Sequence, residues 1–266
     1  FLAAACVSIL AVLLITFFLL VNGVPAIAEI GVFKFLLGTV WKPGNDIYGI
    51  LPMILGSFCV TAGALILGVP IGVLTAVFLS RFASKRMVKA IKPAVQLLAG
   101  IPSVVYGFFG LVVIVPLLGG RGSMLAASIV LAIMILPTVI TVSESSLNAV
   151  EPSYYEGALA LGATHERSVF SIVLPAAKSG VTAAIVLGVG RAIGEAMAVI
   201  MVAGNQPRMP QGILKGLRTL TTNIVMEMGY SADLHREALI ATGVVLFVFI
   251  LLINFFFSLT KRRKKA

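Results

Sequence analysis

The most informative stretch of the sequence is polar and lies between two long apolar runs: VEPSYYEGALALGATHERSVFSIVLPAAKSG, residues 150–180. Ser153, with Glu156 three residues later, has the spacing of a helix capping box. Gly162 can end this first helix, and Thr164 can cap a second one. The stretch therefore predicts a pair of short helices joined by a bend.

The loop that contains these helices, residues 144–179, carries four acidic residues but only two Lys or Arg residues. Helices that lie flat on lipid headgroups are usually basic. The second short helix should contain Val169 and stop before Pro175, because proline removes a backbone donor. The composition favours a protein over a lipid surface as the partner of this loop.

Six apolar runs surround this loop, and each is long enough to cross a hydrocarbon core of about 30 Å as a helix. They cover residues 2–21, 51–79, 94–118, 123–143, 180–203 and 237–259. The chain is 59% hydrophobic and only 11% charged, with a mean hydropathy of +1.10. Open strands cannot satisfy their backbone groups in lipid. The sequence thus predicts an all-α, polytopic membrane protein in which residues 1–266 form one domain with six transmembrane helices.

Basic residues indicate the orientation of these spans. The net charge is +10, but the Lys and Arg residues cluster beside apolar runs, so we expect no nucleic-acid partner. With a cytoplasmic N-terminus, twelve of the 20 Lys and Arg residues would lie on the cytoplasmic side. Five of them are in the tail KRRKKA, residues 261–266, which can anchor the last span or bind lipid headgroups. Both termini are therefore predicted to be cytoplasmic.

The fifth run, LGVGRAIGEAMAVIMV at residues 187–202, contains Arg191 and Glu195. A charge at the centre of a span costs about 2.5 to 3.5 kcal/mol on insertion scales. The two residues are four apart and can pair on one helix face, while Gly190 and Gly194 let another helix approach. Two interpretations follow: a salt bridge that fixes helix packing, or a translocation path in which Arg191 binds oxyanions and Glu195 holds its guanidinium.

The third run contains AGIPSVVYGFFG, residues 99–110. Pro102 removes a backbone donor, so this span should be irregular or closely packed. Irregular backbone is tolerated in a membrane where it lines a cavity. The hydroxyls of Ser103 and Tyr106 either face a passing anion or lie beside a simple packing kink.

Several chemistries have no sequence support. No G-x4-G-K-[ST] motif occurs, so energy for transport must come from a partner or a gradient. His165 and His235 are expected on opposite sides of the membrane, which argues against a shared metal site. No Ser/His/Asp or paired-carboxylate arrangement is evident in the spans. We expect neither an enzyme active site nor a bound metal or cofactor in this chain.

Residues 156–175 also follow a longer pattern, E-x-A-x3-G-x9-I-x-L-P. Its fixed positions are Glu156, Ala158, Gly162, Ile172, Leu174 and Pro175. This pattern resembles the signature loop of bacterial ABC-importer permeases of the type I, MetI-like fold, although Gly157 stands where many members have Ala. The resemblance implies that the loop, with Ser153 at its start, is a coupling helix pair that docks into a cytoplasmic ATPase subunit.

Segments 35–52, 97–113 and 188–205 are similar to phosphate-specific ABC permeases of the PstC type. The resemblance implies a PstA-type second permease, a PstB-type ATPase dimer that binds ATP and Mg, and a PstS-type extracytoplasmic phosphate-binding protein. It places the chain in a bacterial inner or plasma membrane. It also implicates Arg191 and Glu195 in transport.

Other functions remain open at this point. Molybdate, tungstate and sulfate are tetrahedral like phosphate, so a permease for one of them is the nearest alternative. A secondary transporter would use Glu195 as a proton site, but it has no use for an ATPase-docking loop. A membrane assembly protein that transports nothing would not need two charges directed at a pathway.

Overall fold

The computed structural model describes the backbone of residues 1–262 and the side chains of residues 1–255. In chain order its elements are α1 (Leu2–Ile30), α2 (Val32–Leu37), β1 (Trp41–Lys42), a 3-10 turn (Pro43–Asn45), β2 (Ile47–Tyr48), α3 (Leu51–Val77) with a π-helical turn (Phe78–Phe82), α4 (Lys85–Gly100), α5 (Ser103–Phe109) with a π-helical turn (Gly110–Ile114), α6 (Val115–Leu117), α7 (Met124–Asn148), α8 (Pro152–Ala160), α9 (His165–Ser168) with a π-helical turn (Val169–Val173), α10 (Leu174–Ala176), α11 (Lys178–Gly194), α12 (Met197–Val202), α13 (Leu220–Glu227) and α14 (Asp233–Arg262). The two short strands pair antiparallel. The predicted all-α class is confirmed.

Four helices are long and apolar enough to cross a membrane: α1, α3, α7 and α14. Two bent pairs also qualify if each counts as one span, which gives up to six. The first pair joins Lys85–Gly100 to Ser103–Leu117 at 98°, and the second joins His165–Ala176 to Lys178–Gly194 at 68°. Residues 263–266 of the expected cytoplasmic tail lie outside the described residues, so the orientation stays a prediction.

The spans differ from the apolar runs at two breaks. Run 94–118 is interrupted before Pro102, where the chain turns from α4 into α5. Run 180–203 is interrupted at Glu195, whose backbone is extended, and resumes as α12. Apolar composition continues through both breaks, which is why hydropathy alone does not reveal them. By contrast, Pro70 lies inside a continuous α3.

The core forms around α7. In its most apolar window 61% of α7 is buried, whereas the corresponding window of α1 is 0% buried. Small residues let α3 approach α7 closely: a Cβ added at Gly72 would lie 2.8 Å from Cγ1 of Val139. The peripheral α1 packs instead on α14, where Gly23 meets Val244.

The two ends of the bundle have different packing. At one end Phe82, after α3, contacts the ring of His165, with ring centroids 4.7 Å apart. At the other end Trp41 of the hairpin lies 6.1 Å from His235 at the start of α14. The loop of residues 149–177 and the hairpin therefore occupy opposite ends.

We expect Gly72→Ala to destabilise the protein by about 1–3 kcal/mol, because the added methyl overpacks against the buried, stiff Val139. The melting temperature of the purified protein in detergent measures this effect. Gly190→Ala is the matched control, since a Cβ at that transmembrane glycine meets nothing within 4 Å. Equal melting temperatures for the two variants would contradict the close α3–α7 packing.

Candidate functional site

The break between α11 and α12 holds both charges of the fifth run. Arg191 is in the last turn of α11, and its Nη1 donates a hydrogen bond to Oγ1 of Thr138 on α7 at 3.3 Å. Glu195 follows the helix in an extended conformation, and its Oε1 accepts a hydrogen bond from the backbone N–H of Ala198 at 2.9 Å. The carboxylate of Glu195 therefore caps the first turn of α12.

Arg191 and Glu195 do not form the expected salt bridge. No ion pair within 4.0 Å joins them, and the only ion pairs in the part of the chain with described side chains involve Glu144 and Glu227. The prediction of pairing is wrong because α11 ends at Gly194, so Glu195 leaves the helix face that it would share with Arg191. Neither a salt bridge that fixes packing nor a guanidinium held by Glu195 is therefore present among the described side chains.

Hydroxyl groups surround the break. A cavity too narrow to hold a water molecule lies between α3, α7, the break and the start of α13. Its polar lining consists of Ser57, Thr61, Glu195, Thr219 and Thr221. The hydroxyl of Thr221 donates to the backbone carbonyl of Glu195 at 2.9 Å, and Oγ of Ser57 accepts from the N–H of Leu220 at 2.9 Å.

Sequence analysis did not identify these hydroxyl residues. The only available signal was the run TLTT at residues 219–222, which is unusual after an exposed loop and caps α13 through Thr219 and Thr222. Nothing local to that run indicates that Thr221 reaches back to Glu195. The contact depends on the chain turning between α12 and α13.

Tyr106 and Ser103 lie at the other break. The hydroxyl of Tyr106 donates to the backbone carbonyl of Leu98 at 2.7 Å and bridges the bend between α4 and α5. Tyr106 is buried in the core beside Ala198 and Val199. This bond occupies the hydroxyl hydrogen and supports the packing interpretation for Tyr106. Ser103, half-buried at the start of α5, stays a predicted path residue.

The predicted coupling loop has the expected bend. Gly162 has φ +85°, a left-handed conformation that favours glycine, and it separates α8 from α9. The side chain of Thr164 accepts a hydrogen bond from the N–H of Arg167 at 3.3 Å, so the predicted cap of the second helix is confirmed. The hydroxyl of Tyr155 lies 2.7 Å from Nδ1 of His165 and links the two helices.

Two details of the loop differ from the sequence analysis. Ser153 makes no capping bond, because the N-cap is Glu151, two residues earlier, and the fixed φ of Pro152 suits the first helical position. The second helix does not stop before Pro175 but continues to Ala176. The preceding π-helical turn, Val169–Val173, shifts the hydrogen-bond pattern, so the missing N–H of proline is tolerated.

The two halves of the loop are packed differently. Val169 and Val173 are fully buried against the ends of α3 and α7, which anchors the second half. The first half is exposed, and Tyr154 and Leu161 expose 54% and 92% of their surface. The remaining pattern residues are exposed or partly exposed: Glu156, Ala158, Ile172, Leu174 and Pro175. Exposed apolar side chains on an otherwise anchored element are typical of a protein-docking surface.

A buried charge cluster at the opposite end was also missed. Both carboxylate oxygens of Glu227 have partners. Oε1 accepts a hydrogen bond from Arg218, while Oε2 accepts one from Nε1 of Trp41 at 2.9 Å and lies 2.9 Å from Nε2 of His235. Burial raises the pKa of the Glu227 carboxyl, but the hydrogen bonds from Trp41, His235 and Arg218 outweigh it, and the pKa is lower than usual. The cluster joins the hairpin, α13 and α14.

A family model described as the binding-protein-dependent transport system inner membrane component matches residues 68–266. The chain belongs to this family. It is therefore a multi-pass inner-membrane permease subunit of an ABC importer, and such permeases work with an ATPase and a substrate-binding protein.

Curated relatives of the permease cover most of its length. A probable ABC transporter permease protein of Bacillus subtilis, YqgH, is 40% identical over 98% of this chain and 89% of that protein. The phosphate transport system permease protein PstC of Haemophilus influenzae is 33% identical over 81% of this chain and 76% of its own length. PstC 1 of Mycobacterium tuberculosis is 33% identical over 83% of this chain and 79% of its own length.

Solved structures agree on the fold. A bacterial alginate ABC transporter aligns with a TM-score of 0.70 at 17% identity, over 98% of this chain and 93% of the other. The MetNI methionine ABC transporter in an inward-facing conformation aligns with a TM-score of 0.64 at 19% identity, over 84% and 99%. The predicted MetI-like permease fold is confirmed.

Replacing Glu227 tests the buried cluster. Glu227→Gln should lower stability at pH 7 by about 3–5 kcal/mol, since it leaves Arg218 buried without its carboxylate. Because the pKa of Glu227 in the folded protein is below the unfolded value of 4.5, the ionised carboxylate stabilises the fold above about pH 4.5. This stabilisation is lost as the pH falls through the folded pKa. The gap between wild-type and Glu227→Gln melting temperatures should therefore shrink below about pH 4.5. A gap independent of pH would contradict this ionic role.

Proposed function

We propose that this permease is the PstC-type subunit of an ATP-driven phosphate importer and that Arg191 and Glu195 line its anion path. One observation carries the proposal: Arg191 is a half-buried cation in a transmembrane segment, and the only partner described for it is the neutral hydroxyl of Thr138. Charged side chains within membrane segments usually pair with an opposite charge or mark an ion pathway, and the donor fork of a guanidinium matches a tetrahedral oxyanion.

Phosphate is the substrate favoured by the relatives. The PstC proteins of several bacteria are named as phosphate transport permeases at 32–34% identity. Molybdate, tungstate and sulfate remain alternatives, because the same guanidinium can bind any tetrahedral dianion. A secondary transporter is disfavoured by the family and by the exposed coupling loop.

The partners follow from the same proposal. The exposed half of the coupling loop, α8, would dock on a PstB-type ATPase dimer that binds ATP and Mg, since this chain has no P-loop motif of its own. A PstA-type permease would complete the channel, and a PstS-type protein would deliver phosphate from outside. Both termini would then be cytoplasmic, in agreement with the basic Lys85, Arg86 and Lys89 near the coupling-loop end.

The decisive experiment replaces the guanidinium. Arg191→Gln should reduce phosphate uptake at least tenfold while the complex still purifies intact, because glutamine is polar but lacks the charge that binds an anion. Arg208→Gln, in the exposed loop after α12, is the matched control and should transport normally. Normal uptake by Arg191→Gln would overturn the path, and loss of the complex would make Arg191 a structural residue.

The coupling loop has its own test. Gly162→Val places a β-branched residue at φ +85°, so the bend between α8 and α9 should change and the ATPase should dissociate or uncouple. Co-purification of the ATPase subunit and phosphate uptake measure the two effects. Gly157→Ala, at a position with open space around its Cα, should preserve both. Wild-type behaviour of Gly162→Val would exclude this role.

A further inference from the structure

The carboxylate of Glu195 is in an unexpected place for an anion transporter. Its Oε1 is held by the N–H of Ala198, while Oε2 has no hydrogen-bond partner among the described side chains and backbone groups. No cation lies within 4.0 Å of either oxygen in that part of the chain. An unpaired negative charge beside an oxyanion path repels every fully ionised oxyanion.

The cavity that Glu195 faces offers donors as well as this acceptor. Thr61 is only 6% exposed, and its hydroxyl makes no hydrogen bond within the described residues. Oγ of Ser57 accepts from Leu220, which leaves the hydroxyl hydrogen of Ser57 available to donate. The lining of the cavity, which must widen before an anion can enter, therefore combines two free O–H donors with Glu195, whose carboxylate can only accept.

The cavity and Arg191 lie at different positions along the helix bundle, so an imported anion meets them one after the other. Glu195 directly follows the end of α11 that is further from the coupling loop, and Arg191 lies in the last turn before that end. On α7, Leu131 lines the cavity, and Thr138, two turns further on, contacts Arg191. The cavity is thus on the side of Arg191 away from the coupling loop, where an imported anion arrives first.

We propose that Glu195 is a specificity-determining residue that admits oxyanions carrying a proton. Hydrogen phosphate and dihydrogen phosphate keep at least one P–OH group near neutral pH, and that group can donate to Oε2 of Glu195. Sulfate and molybdate are fully ionised there and have no proton to donate, so they face an uncompensated carboxylate. The inference rests on the proposed anion path and selects phosphate among the tetrahedral substrates.

The local structure favours this role over a purely structural one. The N–H of Ala198 fixes the orientation of the carboxylate through Oε1, and an ionised carboxylate can only accept hydrogen bonds. The bond from Thr221 to the carbonyl of Glu195 fixes the residue against α13. A site that is built to hydrogen-bond a substrate hydroxyl rejects analogues without it much more strongly than shape alone allows.

The experiment measures anion binding in the absence of the delivering protein, whose own selectivity would mask that of the permease. The complex is purified through a tag on this chain, placed in lipid nanodiscs, and titrated with radiolabelled phosphate and sulfate, with arsenate as a competitor. Wild type should bind phosphate at least tenfold more tightly than sulfate, and arsenate, which also keeps a proton, should compete. Glu195→Gln should reduce the preference about tenfold, because its amide still accepts from Ala198 but also donates to sulfate.

Two further variants complete the test. Glu195→Asp keeps a carboxylate acceptor and should keep a preference for phosphate, whereas Glu237→Gln, an exposed glutamate in α14, should match wild type. An unchanged phosphate-to-sulfate ratio in Glu195→Gln overturns the inference, as does loss of the preference or of all binding in Glu195→Asp. Failure of the proposed function is distinct: the wild-type complex itself would bind no phosphate, or Arg191→Gln would bind it normally.

Discussion

A break in a transmembrane helix is possible only where the freed backbone groups find partners inside the protein, because hydrocarbon offers none. At Glu195 two bonds meet this requirement, one from Ala198 to the side chain and one from Thr221 to the carbonyl. Thr221 is in turn placed by α13, whose start is held by Ser57 and whose end is held by the Glu227 cluster. The geometry around Arg191 thus depends on contacts that extend to the opposite end from the coupling loop.

The coupling end is organised in a complementary way. Val169 and Val173 bind the second half of the loop firmly to α3 and α7, while α8 projects its apolar side chains outward. A force applied to α8 therefore passes through the bend at Gly162 into an anchored segment that continues, at 68°, into α11. Since α11 carries Arg191, the docking surface and the charged break belong to one continuous piece of chain.

Much of this architecture was predictable from local patterns. Hydropathy located the four long helices α1, α3, α7 and α14. Gly162 and Thr164 predicted the bend and the cap, because a positive φ and a first-turn N–H are requirements of a few neighbouring residues. The pairing of Arg191 with Glu195 was wrong, because a four-residue spacing predicts contact only if the helix continues. The bond between Trp41 and Glu227 joins residues 186 positions apart, so no local pattern could indicate it.

The narrowness of the cavity beside Glu195 has a consequence for protons. A cavity with no room for a water molecule cannot hold a file of hydrogen-bonded waters along which protons could hop. The cavity can widen only if the elements that line it, α3, α7 and the start of α13, move apart. In this conformation the subunit therefore offers protons no water-filled route beside Glu195.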